Sequence, residues 1–322
     1  MSAPDPDALL VLPRLKIQNA NAISSPLTWG FPSASAFTGF VHALQRRLGV
    51  KFELEMDGVA VVCHRFEPQV SQPSGRRTHV FNLTRNPLDK DGSTAAIVEE
   101  GRIHLLISLV VGIRGATLHS GISLESLADA IWQQVMAMRI AGGSVLPPTL
   151  AAQGRHRAEL LVWPDTYDER RRVTKKLARR LLPGFALVSR EARLHEHLEE
   201  LRKVDAAATG IDALLDLSRL NFEPPKADAV DADWSVRAKS GWLVPIPIGY
   251  AAISPLHAPG DVKNVRDRTV PFRFVESLFS LGEWLSPHRV NNICDLFWHH
   301  GADLEAGIYR CTTPAYASQL SS

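Results

Sequence analysis

The sequence has few of the features that mark secreted, membrane or disulfide-rich proteins. Its three cysteines, Cys63, Cys294 and Cys311, are widely and unevenly spaced, which argues against a disulfide framework. No uninterrupted apolar run is long enough to span a bilayer, and residues 1–7 lack the basic region of a signal peptide. These absences predict reduced thiols and a cytoplasmic protein.

A large excess of charge and the common cofactor motifs are also missing. The chain has 36 Lys and Arg against 34 Asp and Glu, so contact with a polyanion must come from local patches. There is no P-loop, dinucleotide fingerprint or paired-carboxylate signature. Cys294, His299, His300 and Cys311 have irregular spacing without Cys-x-x-Cys, which argues against zinc. We therefore predict no cofactor and no metal.

Hydrophobic periodicity predicts the elements of the first half of the chain. An alternating run at 9–18 predicts a strand in which Pro13 marks an edge or a bulge, because proline lacks the ladder N–H. Ser33 and Gly49 bound a predicted helix, and Ser123 begins a second one that reaches residue 139. Further strands are predicted at 51–56, 59–63, 102–113 and 157–162.

The order of these elements indicates the fold class. Strand, helix, strand, long insertion, strand, helix, glycine-rich loop and strand is the order of ferredoxin-like domains, which include RNA-recognition motifs. The insertion, residues 66–101, is polar, and we predict a hairpin with arms at 80–84 and 94–98 and a turn at Asp91-Gly92. A segment of this length is more typical of a functional projection than of a simple connection.

The second half is predicted as mostly helical. A basic helix is expected at 165–182, and it suits contact with a nucleic acid, an acidic partner or only solvent. A short strand is predicted at 185–188 and extended chain at 242–247. The other predicted helices lie at 191–204, 211–217, 272–284 and 287–299.

Candidate binding residues were chosen by their chemistry. The loop after the first strand carries no acid, and its Asn19, Asn21, Ser24 and Trp29 are suited to hydrogen-bonding or stacking on bases. Cations on or beside the insertion are suited to phosphates, although an ordinary solvent-exposed insertion is the alternative. These cations are Arg65, Arg76, Arg77, Arg85 and Lys90.

The glycine-rich loop supplies the rest of the predicted RNA-binding set. Gly142, Gly143 and Ser144 offer backbone N–H groups to an anion, and Arg139 precedes them. A helix C-cap followed by a turn is the alternative explanation of the two glycines. His42, on the first helix, has the chemistry of a general acid or base, but it has no catalytic partner three or four residues away.

Five long stretches of the sequence point to one family: residues 12–32, 81–87 with 91–102, 137–144, 181–191 and 283–290. Together they resemble the second Csy proteins of type I-F CRISPR systems. The resemblance implies an α+β, ferredoxin-like repeat-associated mysterious protein (RAMP) fold with residues 66–101 as a β-hairpin thumb. It implies one domain at 1–190 and a helical and extended region at 191–322 packed on it.

The resemblance also implies the function. The chain would be a non-catalytic subunit of the Csy, or type I-F Cascade, surveillance complex that binds the crRNA five-prime handle. Its protein partners would be the large Csy subunit, as a heterodimer, and the backbone Csy subunit, with target DNA nearby and no membrane. The alternative is a metal-independent endoribonuclease of the same superfamily that uses His42 to process repeat RNA.

Overall fold

The computed structural model describes residues 5–49, 52–82, 88, 90–95, 100–149, 156–224 and 234–314. Strands form most of its framework. They are β1 (Ala8–Asn21), β2 (Glu55–Pro68), β3 (Val70–Ser71), β4 (Val80–Phe81), β5 (Arg102–Arg114), β6 (Arg139–Ile140), β7 (Gly143–Leu146), β8 (Glu159–Val162), β9 (Phe185–Ser189), β10 (Phe222–Glu223), β11 (Ser235–Val236), β12 (Trp242–Ala252), β13 (Val275–Leu285), β14 (His299–Asp303) and β15 (Ile308–Thr312).

The helices lie between these strands. They are α1 (Ala34–Leu48), α2 (Leu124–Met136), α3 (Tyr167–Arg180), α4 (Glu191–Arg202) and α5 (Gly210–Ser218), with 3₁₀ turns at Ala116–His119, Pro287–Arg289 and Ile293–Leu296. The predicted helices after Ser33 and Ser123 and at 165–182, 191–204 and 211–217 are confirmed, but the one after Ser123 ends at Met136, and Arg139, predicted as its last residue, begins β6. Ser123 caps α2 through its side chain, whereas the Ser33 hydroxyl contacts the Ser35 hydroxyl instead of a backbone N–H. Among the described residues, no helix is long and apolar enough to cross a membrane.

The main sheet is antiparallel and curled. Its strand order is β14-β15-β12-β13-β9-β2-β5-β1-β7-β6, and β8 pairs with the first half of β1. Trp298, just before β14, forms a bridge with Val59 of β2, so the β14 end of this strand series curls back onto its middle. β2, β5, β1 and β7 form consecutive antiparallel neighbours at the centre.

The two faces of the central strands are covered by different helices. α1 and α2 pack on the first face, against side chains that include Leu12 and Ile17 of β1 and Leu105 of β5. Leu9 of β1 and Val110 of β5 lie on the second face and pack with residues of α3. Because α3 covers one end of the strands, the other end of the second face is left open by the described part of the chain.

The first strand contains two irregularities. Its register with β5 shifts between Leu12 and Leu15 and again between Ile17 and Ala20. Arg14 and Asn19 lie at these bulges with positive φ angles of 50° and 57°. The bulge expected at Pro13 is therefore confirmed, but the edge position is wrong, because β1 has strands on both sides.

Two predicted strands of the first half are one. Glu55 and Met56, from the segment predicted at 51–56, and the whole segment predicted at 59–63 belong to the single strand β2, whereas residues 52–54 are not in a strand. The sequence Asp57-Gly58 is typical of a turn between two strands. In the structure the strand continues through it, and the register of β2 with β5 shifts between Asp57 and Val59. Gly58 has a φ of +76°, which only glycine adopts readily, so the extra residue is absorbed as a bulge.

The prediction of a mostly helical C-terminal part is wrong. Residues 272–284, predicted as a helix, contain β13, which pairs with β12 on one side and β9 on the other. The segment predicted as a helix at 287–299 contains two 3₁₀ turns and the start of β14. Pairing with distant strands overrides the helical spacing of the apolar residues. The division of the chain at residue 190 stays a prediction.

The predicted insertion hairpin is described only in part. Val80 and Phe81, in its first arm, pair with Val70 and Ser71. The pairing predicted between the two arms, 80–84 and 94–98, stays a prediction. Thr94 and Ala95 are not in a strand, and the rest of that arm lies outside the described residues. The turn at Asp91-Gly92 is confirmed, with Gly92 at a φ of +79°.

Candidate nucleic-acid interface

The uncovered end of the second sheet face forms a polar surface. Side chains of directly opposed residues on neighbouring antiparallel strands lie on the same face. Leu106 of β5 is opposite both Lys16 of β1 and Arg65 of β2, and Gln18 of β1 is opposite Ser144 of β7. We define the open face as Lys16, Gln18, Arg65, His104, Leu106, Arg139 and Ser144.

Most of the open face is accessible and its charge is mainly positive. Lys16, Arg65 and Arg139 are exposed cations, and His104 and Leu106 are partly buried between them. Glu67 is opposite His104, and its carboxylate accepts a 3.2 Å hydrogen bond from Arg65. An exposed pair of this kind contributes about 0–1 kcal/mol, so a phosphate group can replace Glu67 as the partner of Arg65.

Asn19 lies at the second bulge of β1, beside His104. Its backbone N–H donates to His104 Nδ1 at 3.1 Å, so the neutral ring carries its proton on Nε2. The exposed side chain of Asn19 and the Nε2–H of His104 are both chemically suited to hydrogen bonds with RNA. The bulge therefore adds polar groups at the margin of the open face.

The side chains of the following loop are largely occupied within the loop. Asn21 Nδ2 donates to the Ile23 carbonyl at 2.7 Å, and Asn21 Oδ1 accepts from the Ile23 N–H at 3.0 Å. Ser24 Oγ lies 2.8 Å from Thr28 Oγ1. The side chains of Asn21 and Ser24 therefore stabilise turns within the loop, which explains both polar residues without a ligand. Their contact with bases stays a prediction.

Trp29 ends this loop against the base of the insertion. Its ring is 58% exposed and meets Phe81 edge-on, with centroids 5.4 Å apart. Phe81 belongs to the small hairpin β3–β4, and Arg76 and Arg77 lie exposed at its turn. Lys90 is exposed as well, and Arg85 lies outside the described residues. The hairpin thus carries two of the predicted phosphate contacts beside the end of β1.

The glycine-rich segment is the turn of a second small hairpin. β6 and β7 are joined through Ala141 and Gly142, which have positive φ angles of 49° and 79°. Gly143 is buried, and a Cβ there would lie 2.7 Å from the Ala20 backbone N and 2.8 Å from the Gln18 carbonyl O. Close packing on β1 therefore explains Gly143 without a ligand, while its neighbour Ser144 is exposed on the open face.

A chain of hydrogen bonds separates the open face from the part that α3 covers. The Arg14 N–H donates to Ser108 Oγ at 2.9 Å, and Ser108 Oγ lies 2.7 Å from His64 Nε2. His64 Nδ1 donates to the Pro183 carbonyl at 2.7 Å. Burial lowers the pKa of His64, against the opposing effect of the Pro183 carbonyl. This neutral, fully bonded imidazole fixes the bulge at Arg14.

His42 lies elsewhere, on the layer of helices. It lines a cavity of about 250 Å³ with Asp57 and His300, and the two imidazole rings stack at 6.3 Å. The structure thus supplies the imidazole neighbour that the spacing in sequence did not reveal. Because His42 is on α1, which packs on the first face, the thickness of the sheet separates it from the open face. Among the described residues, no cluster is suited to hold a metal ion.

The basic helix presents its cations outward. Arg171, Arg172, Lys175, Lys176 and Arg179 are exposed on α3, whereas Thr174, Leu177 and Ala178 are buried against the sheet. Since α3 covers the other end of the second face, these cations form a surface separate from the open face. Their contact with a nucleic acid or an acidic partner stays a prediction.

Comparison with known proteins gives the family. A family described as CRISPR-associated protein (Cas_Csy2) matches residues 10–311. The chain belongs to this Csy2 family. A protein of Pseudomonas aeruginosa (strain UCBPP-PA14) named "CRISPR-associated protein Csy2" is 60% identical over 322 residues, which cover 98% of each chain. The resemblance to the second Csy proteins is thereby confirmed at the level of the family.

Sequence reasoning found part of the open face and missed the rest. Arg65, Arg139 and Ser144 were predicted, whereas Lys16, Gln18, His104 and Leu106 were not. A signal was present, since Lys16 and Gln18 alternate with buried Leu15 and Ile17 in a predicted strand. Without the strand order, however, nothing showed that these polar positions face those of β5 and β2.

Proposed function

We propose that this chain is a non-catalytic RNA-binding subunit of a type I-F CRISPR surveillance complex in the cytoplasm. It binds the crRNA five-prime handle, pairs with the large Csy subunit and abuts the backbone Csy subunit. The observation that carries the proposal is the open face. It is an uncovered sheet surface with Lys16, Arg65 and Arg139 as cations, and it adjoins the cationic β3–β4 hairpin.

The strand order supports a ferredoxin-like core for this function. β1, β2, β5 and β7 lie in the order β2-β5-β1-β7, with α1 and α2 on one face. That is the arrangement in which RNA-recognition motifs present the opposite sheet face to single-stranded RNA. The insertion at 66–101 is the proposed thumb, with the β3–β4 hairpin at its base.

Polar and apolar groups on the open face suit single-stranded RNA. Cations bind phosphates at any sequence, while Gln18, His104 and Ser144 offer hydrogen bonds to bases or sugars. Leu106 and the exposed ring of Trp29 provide apolar surface for bases. A rigid sheet that holds these groups at fixed spacing favours one RNA conformation over others.

Binding of the full-length chain to handle RNA tests the proposal. A labelled handle oligonucleotide should bind the chain more tightly than a scrambled oligonucleotide of equal length. Lys16→Glu with Arg65→Glu should weaken that binding by at least tenfold, because two cations of the open face become acids. Equal binding of both oligonucleotides, unaffected by the double variant, would exclude the open face as the handle site.

The endoribonuclease alternative has one observation in its favour, the pairing of His42 with His300. Incubation of the pure chain with repeat RNA separates the two functions. Intact RNA, with equal results for the chain and its His42→Ala variant, is expected for a binding subunit. Cleavage that is lost in His42→Ala would establish the enzyme instead.

A further inference from the structure

The helix α3 carries a group of cations that handle binding on the open face does not use. From residue 171 to residue 180, every exposed side chain is Arg or Lys, and the other side chains are buried or partly buried. The last of these cations, Arg180, lies at the end of the helix. We define the basic face by the other five, Arg171, Arg172, Lys175, Lys176 and Arg179.

The two cations at the ends of α3 hold the helix on the fold. Arg170 Nη1 donates to the Asp5 carboxylate at 2.7 Å, and its Nε donates to the Pro164 carbonyl at 2.6 Å. At the other end, Arg180 Nη2 lies 2.5 Å from the Glu159 carboxylate. The helix is therefore fixed at both ends, and the basic face between them is a preorganised surface.

The basic face has no acidic partner in the part of the chain that the structure describes. There, the ion pairs of α3 are those of Arg170 and Arg180. The cations at 171 and 175, at 172 and 176, and at 175 and 179 are four residues apart, a spacing at which like charges destabilise a helix. Uncompensated repulsion of this kind is expected at a functional site that receives an anion, more than on a surface that meets only solvent.

The composition of the basic face favours a nucleic-acid duplex over other anions. The centres of protein interfaces are rich in aromatic residues and poor in Lys, whereas no exposed apolar side chain lies among residues 171–180. Single strands bind through aromatic rings that stack on the bases, and this stretch has no aromatic residue. At 1.5 Å per residue the face is about 12 Å long, and a DNA duplex carries about seven charges over that length.

We propose that the basic face binds the phosphate backbone of duplex DNA, independently of base sequence. The inference rests on the proposed function, because a subunit of an RNA-guided surveillance complex works beside a DNA target. It adds a place for that DNA on this chain. RNA lies on the open face, and DNA lies on the helix that covers the other end of the same side of the sheet.

Salt titration of duplex binding by the full-length chain tests the proposal. The probe is a labelled DNA duplex that lacks the handle sequence, followed by fluorescence anisotropy. At about −0.9 for each phosphate neutralised, five contacts predict a slope of about −4.5 for log K against log salt. The affinity should then fall by about 500-fold between 50 and 200 mM salt. Lys175→Gln with Lys176→Gln leaves three contacts, so the slope should become about −2.7 and the fall about 40-fold.

Three controls accompany this variant. Lys16→Gln with Arg65→Gln, on the open face, is the matched pair and should leave the slope for the duplex near −4.5. Lys175→Arg with Lys176→Arg keeps both charges and should bind the duplex as the unchanged chain does. In urea unfolding, Lys175→Gln with Lys176→Gln should be at least as stable as the unchanged chain, because repulsion along α3 is relieved.

Two results would overturn the proposal. The first is a slope for the duplex that the folded Lys175→Gln, Lys176→Gln variant leaves unchanged. If that variant instead weakens association with the co-expressed large subunit, the basic face binds an acidic protein. The second is tighter binding of an RNA duplex than of a DNA duplex of the same sequence, which would make RNA the ligand of this face.

The handle oligonucleotide, titrated in parallel, keeps the two proposals apart. If the open face does not bind the handle, handle binding will not respond to Lys16→Gln with Arg65→Gln, and the results with the duplex will stand. If the basic face does not bind DNA, the effect of the open-face variant on the handle will remain, and only the effect of the α3 variant on the duplex will be missing.

Discussion

The salt dependence of handle binding is the most direct test of the open face. Three cations lie on that face, Lys16, Arg65 and Arg139, and Arg76 and Arg77 lie on the adjoining hairpin. Each phosphate neutralised on a single strand contributes about −0.7 to the slope of log K against log salt. Five contacts therefore predict a slope of about −3.5, and a loss of affinity of about 130-fold between 50 and 200 mM salt.

Neutralising two of these cations should change the slope by a calculable amount. Lys16→Gln with Arg65→Gln leaves three phosphate contacts, so the slope should become shallower, about −2.1. The loss of affinity between 50 and 200 mM salt should then be only about 18-fold. Fluorescence anisotropy of a labelled handle oligonucleotide, titrated at a series of potassium chloride concentrations, measures both quantities. Both substituted side chains are exposed, so the fold of the variant should be unaffected.

A matched pair of cations elsewhere serves as the control. Lys175 and Lys176 are exposed on α3, away from the open face. Lys175→Gln with Lys176→Gln should leave the slope near −3.5, because the proposal places the handle on the open face and not on α3. A slope that is unchanged in the open-face variant but reduced in the α3 variant would refute the reasoning and move the RNA site to the basic helix.

Three further predictions concern stability. Gly143→Val should cost about 1–3 kcal/mol in urea unfolding, because its Cβ would meet the backbone of β1, whereas Gly142→Asn, with open space around it, should be nearly neutral. Removal of the buried carboxylate of Glu283, which pairs with Arg190, should lower the free energy of unfolding by about 3–5 kcal/mol in the same assay. Glu67→Ala, which removes an exposed carboxylate, should lower it by less than about 1 kcal/mol. Because burial lowers the pKa of His64 in the folded state, unfolding free energy should fall as pH drops below about 6.5, and His64→Gln should reduce that fall.

The local elements were predictable where one short pattern decides them. The apolar stripe of α1 and the cap at Ser123 need only neighbouring residues, and both helices lie where the sequence placed them. β13 was predicted as a helix because its apolar residues also fit helical spacing. Its true state depends on pairing with Trp242 of β12 and Ser189 of β9, which no local pattern shows.

The candidate site was predictable in its chemistry but not in its geometry. Cations and amides were recognised as groups that bind RNA, and Arg65, Arg139 and Ser144 do lie together on the open face. Asn21 and Gly143 were chosen by the same chemistry, yet the structure uses them within a turn and in close packing. A polar residue in a loop serves a turn as readily as a ligand, so sequence alone does not separate the two roles.

The bulges of β1 are what create the open face. The residues of β1 that face α1 and α2 are Leu10, Leu12, Leu15, Ile17 and Ala20, and Ala22, just after the strand, continues the series. Their spacing alternates between two and three residues, where an unbroken strand requires two throughout. Each step of three coincides with a positive-φ residue, Arg14 or Asn19. Without the first bulge, Leu15 and Ile17 would turn to the second face, and Lys16 and Gln18 would be buried under the helices. The exposure of Lys16 and Gln18 on the open face therefore depends on the bulge at Arg14, a single irregular residue of a strand.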